Sequence, residues 1–203
     1  MSTIPAETES LGAISLQQKT AYAVGMFVNN LQAAALPAIM VVLNLGLGIN
    51  PIWVGFIGFI PRIFDAVSDP IVGYLSDHTR TRWGRRRPFI FAGAVLSAFV
   101  FAGMWQMPAG GSQLFYFRFF LTASIIYFLT YTLYATPFVA LGYEMTSDYH
   151  ERTRLHAFAN TFGQFAWLIA PWFWWIMTEF FDNTVDGASA LAIVIGFAVL
   201  LGV

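Results

Sequence analysis

The chain has 203 residues, of which 58% are hydrophobic and only 10% are charged, and its formal net charge is −1. Soluble domains carry about 25% charged residues, so this composition excludes an ordinary soluble protein and indicates a membrane protein. The absence of cysteine excludes disulfide scaffolds and cysteine-ligated zinc, and the near-neutral charge gives no indication of a nucleic-acid partner.

Residues 1–19 form a polar segment without the basic start of a cleaved signal peptide, and we expect this segment to lie in the cytoplasm. Apolar stretches long enough to cross a bilayer follow it. They predict six transmembrane helices, at 20–44, 51–76, 88–107, 114–142, 155–178 and 188–203. The predicted fold class is therefore all-α, a polytopic transmembrane helical bundle. The last apolar run ends at Val203 after a short stretch, so we expect the chain to be truncated there.

The positions of lysine and arginine predict the orientation. Lys19 precedes the first span, five arginines lie between spans two and three, and Arg152 and Arg154 lie between spans four and five. Positive residues concentrate in cytoplasmic loops. The N-terminus and the even-numbered loops are therefore predicted to be cytoplasmic, with Arg118, near the start of span four, as the exception.

The second span contains three ionisable residues, Arg62, Asp65 and Asp69. A charge in the middle of a bilayer costs about 2.5–3.5 kcal/mol on insertion scales, and such residues mark functional sites. Their i, i+3, i+7 spacing places them on one helical face, which Gly73 continues and where it would permit a close helix–helix approach. Two aspartates with neighbouring hydroxyls or amides would suit Na⁺ or H⁺. The alternative is a packing clamp in which Arg62 and Asp65 only neutralise each other.

An ordered motif follows this face: Gly73-Tyr-Leu-Ser-Asp77 and then Thr79-Arg-Thr-Arg-Trp-Gly84-Arg-Arg-Arg-Pro88. A basic cytoplasmic loop explains the arginines but not the ordered glycines, aspartate and proline. The stretch resembles the loop between helices two and three of the major facilitator superfamily. Residues 62–84 are most similar to the glycoside–pentoside–hexuronide:cation symporters (the melibiose-permease group), and residues 84–90 also resemble the sucrose-transporter branch. Residues 137–155 carry a second match.

The resemblance implies the N-terminal six-helix half of a major facilitator fold. It assigns Asp65 and Asp69 to cation binding, with Arg62 as their charge partner. It also implies a cytoplasmic gate of glycines and charged residues, namely Gly73, Asp77, Arg82, Gly84, Arg85, Arg86, Glu144, Asp148, Glu151, Arg152 and Arg154. The alternative for the charged gate residues is a solvated loop of mixed charge.

Polar side chains inside the spans are candidates for solute binding, because amides and hydroxyls both donate and accept hydrogen bonds. They are Asn29, Asn30, Gln32, Thr136, Asn160 and Gln164. The chain departs from the melibiose-permease pattern at three positions. Asn29-Asn30 and Ala135 or Thr136 replace two acidic sugar-binding residues, and Asn160 lies near the position of an arginine on helix five. The alternative for each of these side chains is an interhelical hydrogen bond.

The function implied is secondary active symport of a sugar or glycoside with Na⁺ or H⁺, in a bacterial inner membrane. The partners implied are lipid, the solute, and the C-terminal half of the same transporter or another membrane subunit. We expect no catalysis and no cofactor beyond the coupling ion, because the sequence shows no Ser-His-Asp set and no metal-ligand spacing of its three histidines. If 203 residues were the whole chain, the alternative would be a structural or assembly subunit, or an obligate dimer.

Overall fold

The computed structural model describes residues 14–107 and 110–203, which form helices and connecting turns. The helices are α1 (Leu16–Leu45), α2 (Pro51–His78), α3 (Arg87–Met104), α4 (Gln113–Glu144), α5 (Tyr149–Ile169), α6 (Trp172–Glu179) and α7 (Thr184–Gly202). Residues 1–13 of the predicted polar segment lie outside the described residues. The all-α fold class is confirmed.

Side-chain caps set several helix starts a few residues before the predicted ones. Ser15 and Gln18 form a capping box at the start of α1, and Asn183 accepts a hydrogen bond from the Val185 N–H at the start of α7. Asp148 caps α5 in the same way. These caps satisfy backbone N–H groups that have no partner within the helix, which stabilises an early start in polar sequence.

The predicted continuous helix over 155–178 is divided into α5 and α6. Ala170 caps the C-terminus of α5, and Pro171 precedes α6. The Phe173 N–H donates to the Ala170 carbonyl in a tightened turn. A proline ring removes one backbone donor and crowds the preceding turn, which accounts for the break. Among the described helices, five are long and apolar enough to cross a membrane, namely α1, α2, α3, α4 and α7.

The helices pack around α1 and α4. α1 packs mainly against α5 and α7, while α4 packs against α2 and α3, and α3 also contacts α7. The core contains large, fully buried side chains such as Phe101, Trp105, Phe120 and Tyr127. Because α2 is held mainly through α4, one long side of α2 remains uncovered.

The uncovered side of α2 is apolar over much of its length. Its exposed side chains include Ile52, Phe56, Phe59, Ile63, Val67 and Ile71. A single soluble molecule does not leave such a continuous apolar face in water, whereas lipid tails solvate it without cost. The molecule is therefore an integral membrane protein.

Candidate cation and solute site

Two aspartates of α2 face two threonines of α4. Asp65 Oδ1 accepts a hydrogen bond of 2.7 Å from Thr132 Oγ1, and Asp69 Oδ1 accepts one of 2.9 Å from Thr136 Oγ1. Residues four apart lie one turn apart on the same face of a helix, so the two pairs stack along the α2–α4 contact. Asp65 and Asp69 thus lie on one face of α2, and this face contacts Thr132 and Thr136 of α4.

Arg62 reaches only one of these carboxylates. Its Nη1 lies 3.6 Å from Asp65 Oδ2, and its guanidinium lies 4.6 Å from the centre of the Phe128 ring. The Arg62 side chain is 60% exposed, whereas that of Asp65 is 18% exposed. Within the described residues Asp69 has no cationic partner. A packing clamp between Arg62 and Asp65 therefore leaves the second carboxylate uncompensated.

Both aspartates line a cleft of about 430 Å³ between α1, α2 and α4, which we call the carboxylate cleft. Its walls are Asn29, Asp65, Asp69, Tyr131, Thr132, Ala135, Thr136, Val139, Ala140 and Tyr143. Asn29 is 5% exposed, and its Oδ1 has no hydrogen-bond partner in the described part of the chain. A buried polar atom without a partner is costly, so a ligand that donates to it would bind favourably.

The donor set of the carboxylate cleft is made of oxygen. Carboxylates and hydroxyls are the ligands that hard cations prefer, and they are poor ligands for soft transition metals. Ser68 supports this arrangement, because its hydroxyl lies 3.2 Å from the Asp65 carbonyl and 3.4 Å from Thr132 Oγ1. The geometry therefore suits a hard cation or a proton rather than a soft metal.

The six predicted solute-binding side chains separate into two groups. Asn29 and Thr136 line the carboxylate cleft, whereas the other four do not. Asn30 lies against Gly163 between α1 and α5, and Gln32 is buried, where its Oε1 accepts from Ser97 Oγ at 3.3 Å. Asn160 and Gln164 are exposed on α5.

Sequence reasoning missed Thr132, Tyr131 and Tyr143. The signal for Thr132 was present, because it precedes Thr136 by four residues in an apolar span and so repeats the spacing of Asp65 and Asp69. The two tyrosines carried no distinguishing signal, since aromatic residues are abundant throughout the chain.

Four of the predicted gate residues form one ion cluster where α2 and α4 end and α3 begins. Arg86 lies 2.6 Å from Asp77 and 3.0 Å from Glu144, and Arg85 also lies 3.0 Å from Glu144. The Arg86 side chain is 11% exposed, so its charge is screened less than that of a surface residue. We call these four residues the arginine cluster.

A second ion group joins the starts of α1 and α5. Glu151 lies 2.9 Å from both Lys19 Nζ and Arg154 Nη1, and hydrogen bonds from these two cations hold the pKa of Glu151 below its ordinary value near 4.5. Asp148 acts here as the α5 cap, and Arg152 donates to the Ser147 carbonyl. Lys19 was used only to predict orientation, so its role in this group was missed.

The remaining predicted gate residues lie apart from both ion groups. Arg82 stacks over the neighbouring Trp83 ring, and in the described chain it forms no ion pair. Gly84 has a positive φ of 99°, a conformation that favours glycine in this loop. A Cβ at Gly73 would meet only Thr136 Cγ2, at 3.9 Å, so the expected close helix–helix approach is not present there within this chain.

Comparison with known proteins finds a transport-protein family model that matches the chain and several relatives named as symporters. The model of the family described as MFS/sugar transport protein matches residues 21–203. An uncharacterized symporter of Synechocystis sp. is 37% identical over 57% of the chain, and the inner membrane symporter YicJ of Escherichia coli is 34% identical over 54%. The sodium-dependent lysophosphatidylcholine symporter 1-A of Danio rerio is 25% identical over 83% of the chain.

The matched segments make up only part of those relatives. They span 22% of the Synechocystis protein, 24% of YicJ and 32% of the Danio protein.

Proposed function

The chain belongs to the MFS/sugar transport protein family, and we propose that it forms the N-terminal half of a secondary transporter. In this proposal the intact protein couples the movement of a sugar or glycoside to Na⁺ or H⁺ across a bacterial inner membrane. The observation that carries the proposal is the stacked pair of Asp–Thr hydrogen bonds, Asp65 with Thr132 and Asp69 with Thr136, at the wall of the carboxylate cleft.

The charges of the cleft suggest how coupling would arise. Arg62 offsets the charge of Asp65, whereas Asp69 has no cationic partner in the part of the chain that the structure describes. A bound monovalent cation would neutralise Asp69 and draw α2 and α4 together through the threonine hydroxyls. A solute that donates to Asn29 Oδ1 would then find a more ordered cleft, which is positive cooperativity between the two ligands.

The arginine cluster supplies a candidate two-state element. It fixes the ends of α2, α3 and α4 through Asp77, Arg85, Arg86 and Glu144. Alternating access in transporters is largely a rocking of one helical repeat against another around a central site. Ion pairs that hold in one state and open in the other would bias that equilibrium.

A second helical body is expected to cover the open side of the carboxylate cleft. Arg62 and Asp69 are exposed in the middle of an apolar helix, which is a costly arrangement in lipid unless protein or water faces them. The C-terminal half of the same transporter would supply that cover, and a partner membrane subunit is the alternative. A purely structural subunit would gain nothing from these charges, so they favour transport.

The solute would be rich in hydroxyl groups. Amide, carboxylate and tyrosine groups in the cleft can exchange several hydrogen bonds with a sugar, and the family description names sugar transport. The sodium dependence in the name of the Danio relative supports Na⁺ as the first cation to test.

The test is uptake of labelled disaccharides by vesicles that contain the intact protein, under an imposed Na⁺ gradient, an imposed H⁺ gradient, or neither. We expect one gradient to drive accumulation, and Asp69→Asn to abolish it. Asp182→Asn, in the exposed turn before α7, is the matched control and should transport normally. Uptake that is equal with and without either gradient, or that is unchanged in Asp69→Asn, would contradict the proposal.

A further inference from the structure

Arg118 lies at the end of α4 opposite the arginine cluster. It is the sixth residue of this helix, whereas Glu144, a member of the arginine cluster, is its last. At a rise of 1.5 Å per residue, about 39 Å of helix separates Arg118 from Glu144, which exceeds the roughly 30 Å thickness of a hydrocarbon core. When the arginine cluster lies in water on one side, Arg118 therefore lies at headgroup depth on the other.

No carboxylate of the described residues compensates Arg118. Its side chain is exposed, and within residues 14–107 and 110–203 it makes no ion pair. Arg86, by contrast, is paired with Asp77 and Glu144. Arg118 is also the residue that departs from the positive-inside pattern, and the proposed transport function gives it no role.

Arg118 faces a cleft of its own, of about 420 Å³, lined by Ser112, Leu114, Phe115, Arg118 and Phe119. We call it the arginine cleft. Its walls are mainly apolar, with one guanidinium and one hydroxyl as the polar groups. It shares no lining residue with the carboxylate cleft, whose α4 residues begin at Tyr131.

The apolar walls and the single guanidinium of the arginine cleft suit the headgroup end of a lipid molecule. Leu114 and Phe115 are exposed large apolar side chains, which are solvated well by acyl chains. A guanidinium binds phosphate through paired, charge-assisted hydrogen bonds, and an arginine at headgroup depth attracts anionic lipid. A water-soluble anion would use the guanidinium but would gain nothing from the apolar walls.

We propose that the arginine cleft binds the phosphodiester headgroup of an anionic phospholipid, with Arg118 as the main ligand and Ser112 as a second donor. The acyl chains of this lipid lie along Leu114, Phe115 and Phe119. The proposal does not depend on transport, because it concerns a different surface of α4.

The test is native mass spectrometry of the intact protein titrated with phosphatidylglycerol or with phosphatidylcholine of the same acyl chains. Wild type should bind phosphatidylglycerol more tightly than phosphatidylcholine. Arg118→Gln should weaken the binding of phosphatidylglycerol about fivefold, as expected for one arginine at the membrane surface. Arg80→Gln, an exposed loop arginine without an ion pair in the described chain, is the matched control and should leave this binding unchanged. Arg118→Lys, which keeps the charge but loses the paired geometry, should lie between wild type and Arg118→Gln.

Three results would overturn the proposal. They are equal binding of the two lipids by wild type, an unchanged affinity in Arg118→Gln, and displacement of phosphatidylglycerol by glycerol phosphate at comparable concentration. The last result would identify a site for soluble anions instead. If thermal unfolding shows that Arg118→Gln does not fold, the proposal is tested by comparing the binding of phosphatidylglycerol and phosphatidylcholine in wild type and in Arg118→Lys. Equal affinities for the two lipids in wild type would then overturn it.

Discussion

The hydroxyl of Thr132 on α4 donates a 2.7 Å hydrogen bond to Asp65 Oδ1 on α2, and the pair lies at the wall of the carboxylate cleft. This contact has two consequences for a cation site. It fixes the orientation of the carboxylate, and it leaves the hydroxyl oxygen next to the position where a cation bound to Asp65 would lie. The same arrangement recurs one turn away between Thr136 and Asp69.

Replacing Thr132 by valine should weaken cation binding. Valine keeps the shape of threonine but removes the hydroxyl, which orients the Asp65 carboxylate and offers an oxygen ligand to the cation. We therefore expect a loss of about tenfold in affinity, or about 1.4 kcal/mol. Thr132→Ser keeps the hydroxyl and should bind the cation almost as wild type does. Cation-dependent thermal stabilisation of the purified intact protein measures both. Equal behaviour of Thr132→Val and Thr132→Ser would show that the hydroxyl does not contribute.

Glu144→Gln should destabilise the arginine cluster. Glu144 accepts hydrogen bonds from both Arg85 and Arg86, at 3.0 Å each, and Arg86 is mostly shielded from solvent. We expect a fall in free energy of unfolding of about 1 kcal/mol, or a few degrees in Tm, and a smaller effect at high salt. Glu179→Gln, at the end of α6, removes a carboxylate that has no ion pair in the described chain. An equal loss of Tm in the two variants would contradict this account.

The group of Lys19, Glu151 and Arg154 predicts a pH dependence. Hydrogen bonds from the two cations lower the pKa of Glu151 below its ordinary value near 4.5, so the folded state favours the ionised form. The resulting stabilisation is fully present above the unfolded-state pKa and is lost as the pH falls through the lowered one. The Tm difference between wild type and Glu151→Gln should therefore be present at neutral pH and shrink below pH 4.5. A difference that stays constant down to that range would show that the ion pairs do not contribute.

Gly93→Ala should disrupt the contact between α3 and α4. A Cβ at position 93 would lie 2.9 Å from Leu133 Cβ and against the backbone nitrogen of Tyr134. Because backbone cannot move aside cheaply, we expect a loss of about 1–3 kcal/mol in the free energy of unfolding. Gly103→Ala, on the same helix, meets nothing within 4 Å and is the matched control. Thermal unfolding of the two variants in detergent measures the difference.

The sequence predicted the fold class and the grouping of charged residues for physical reasons. Composition leaves lipid as the only good solvent, and the spacing of Asp65 and Asp69 fixes a shared face on any α-helix. Both inferences depend on local periodicity and charge, which a single sequence carries. The grouping of Asp77, Arg86 and Glu144 in one gate was instead implied by the resemblance to the major facilitator superfamily.

Contacts between distant segments could not be predicted in the same way. Asp65 contacts Thr132, which is 67 positions away in the sequence, and Lys19 contacts Glu151, which is 132 positions away. Neither pairing has a local pattern, because each depends on which helices pack together. For the same reason the sequence could not separate Asn29, which lines the carboxylate cleft, from Asn30, which packs against Gly163.

The most direct test of the central claim is equilibrium binding of radioactive Na⁺ to the purified intact protein, with proton release followed in parallel. We predict saturable binding of Na⁺, or release of a bound proton, that is lost in both Asp65→Asn and Asp69→Asn and retained in Asp182→Asn. Cation binding of wild-type strength in the two cleft variants would contradict the assignment of the coupling site to Asp65 and Asp69.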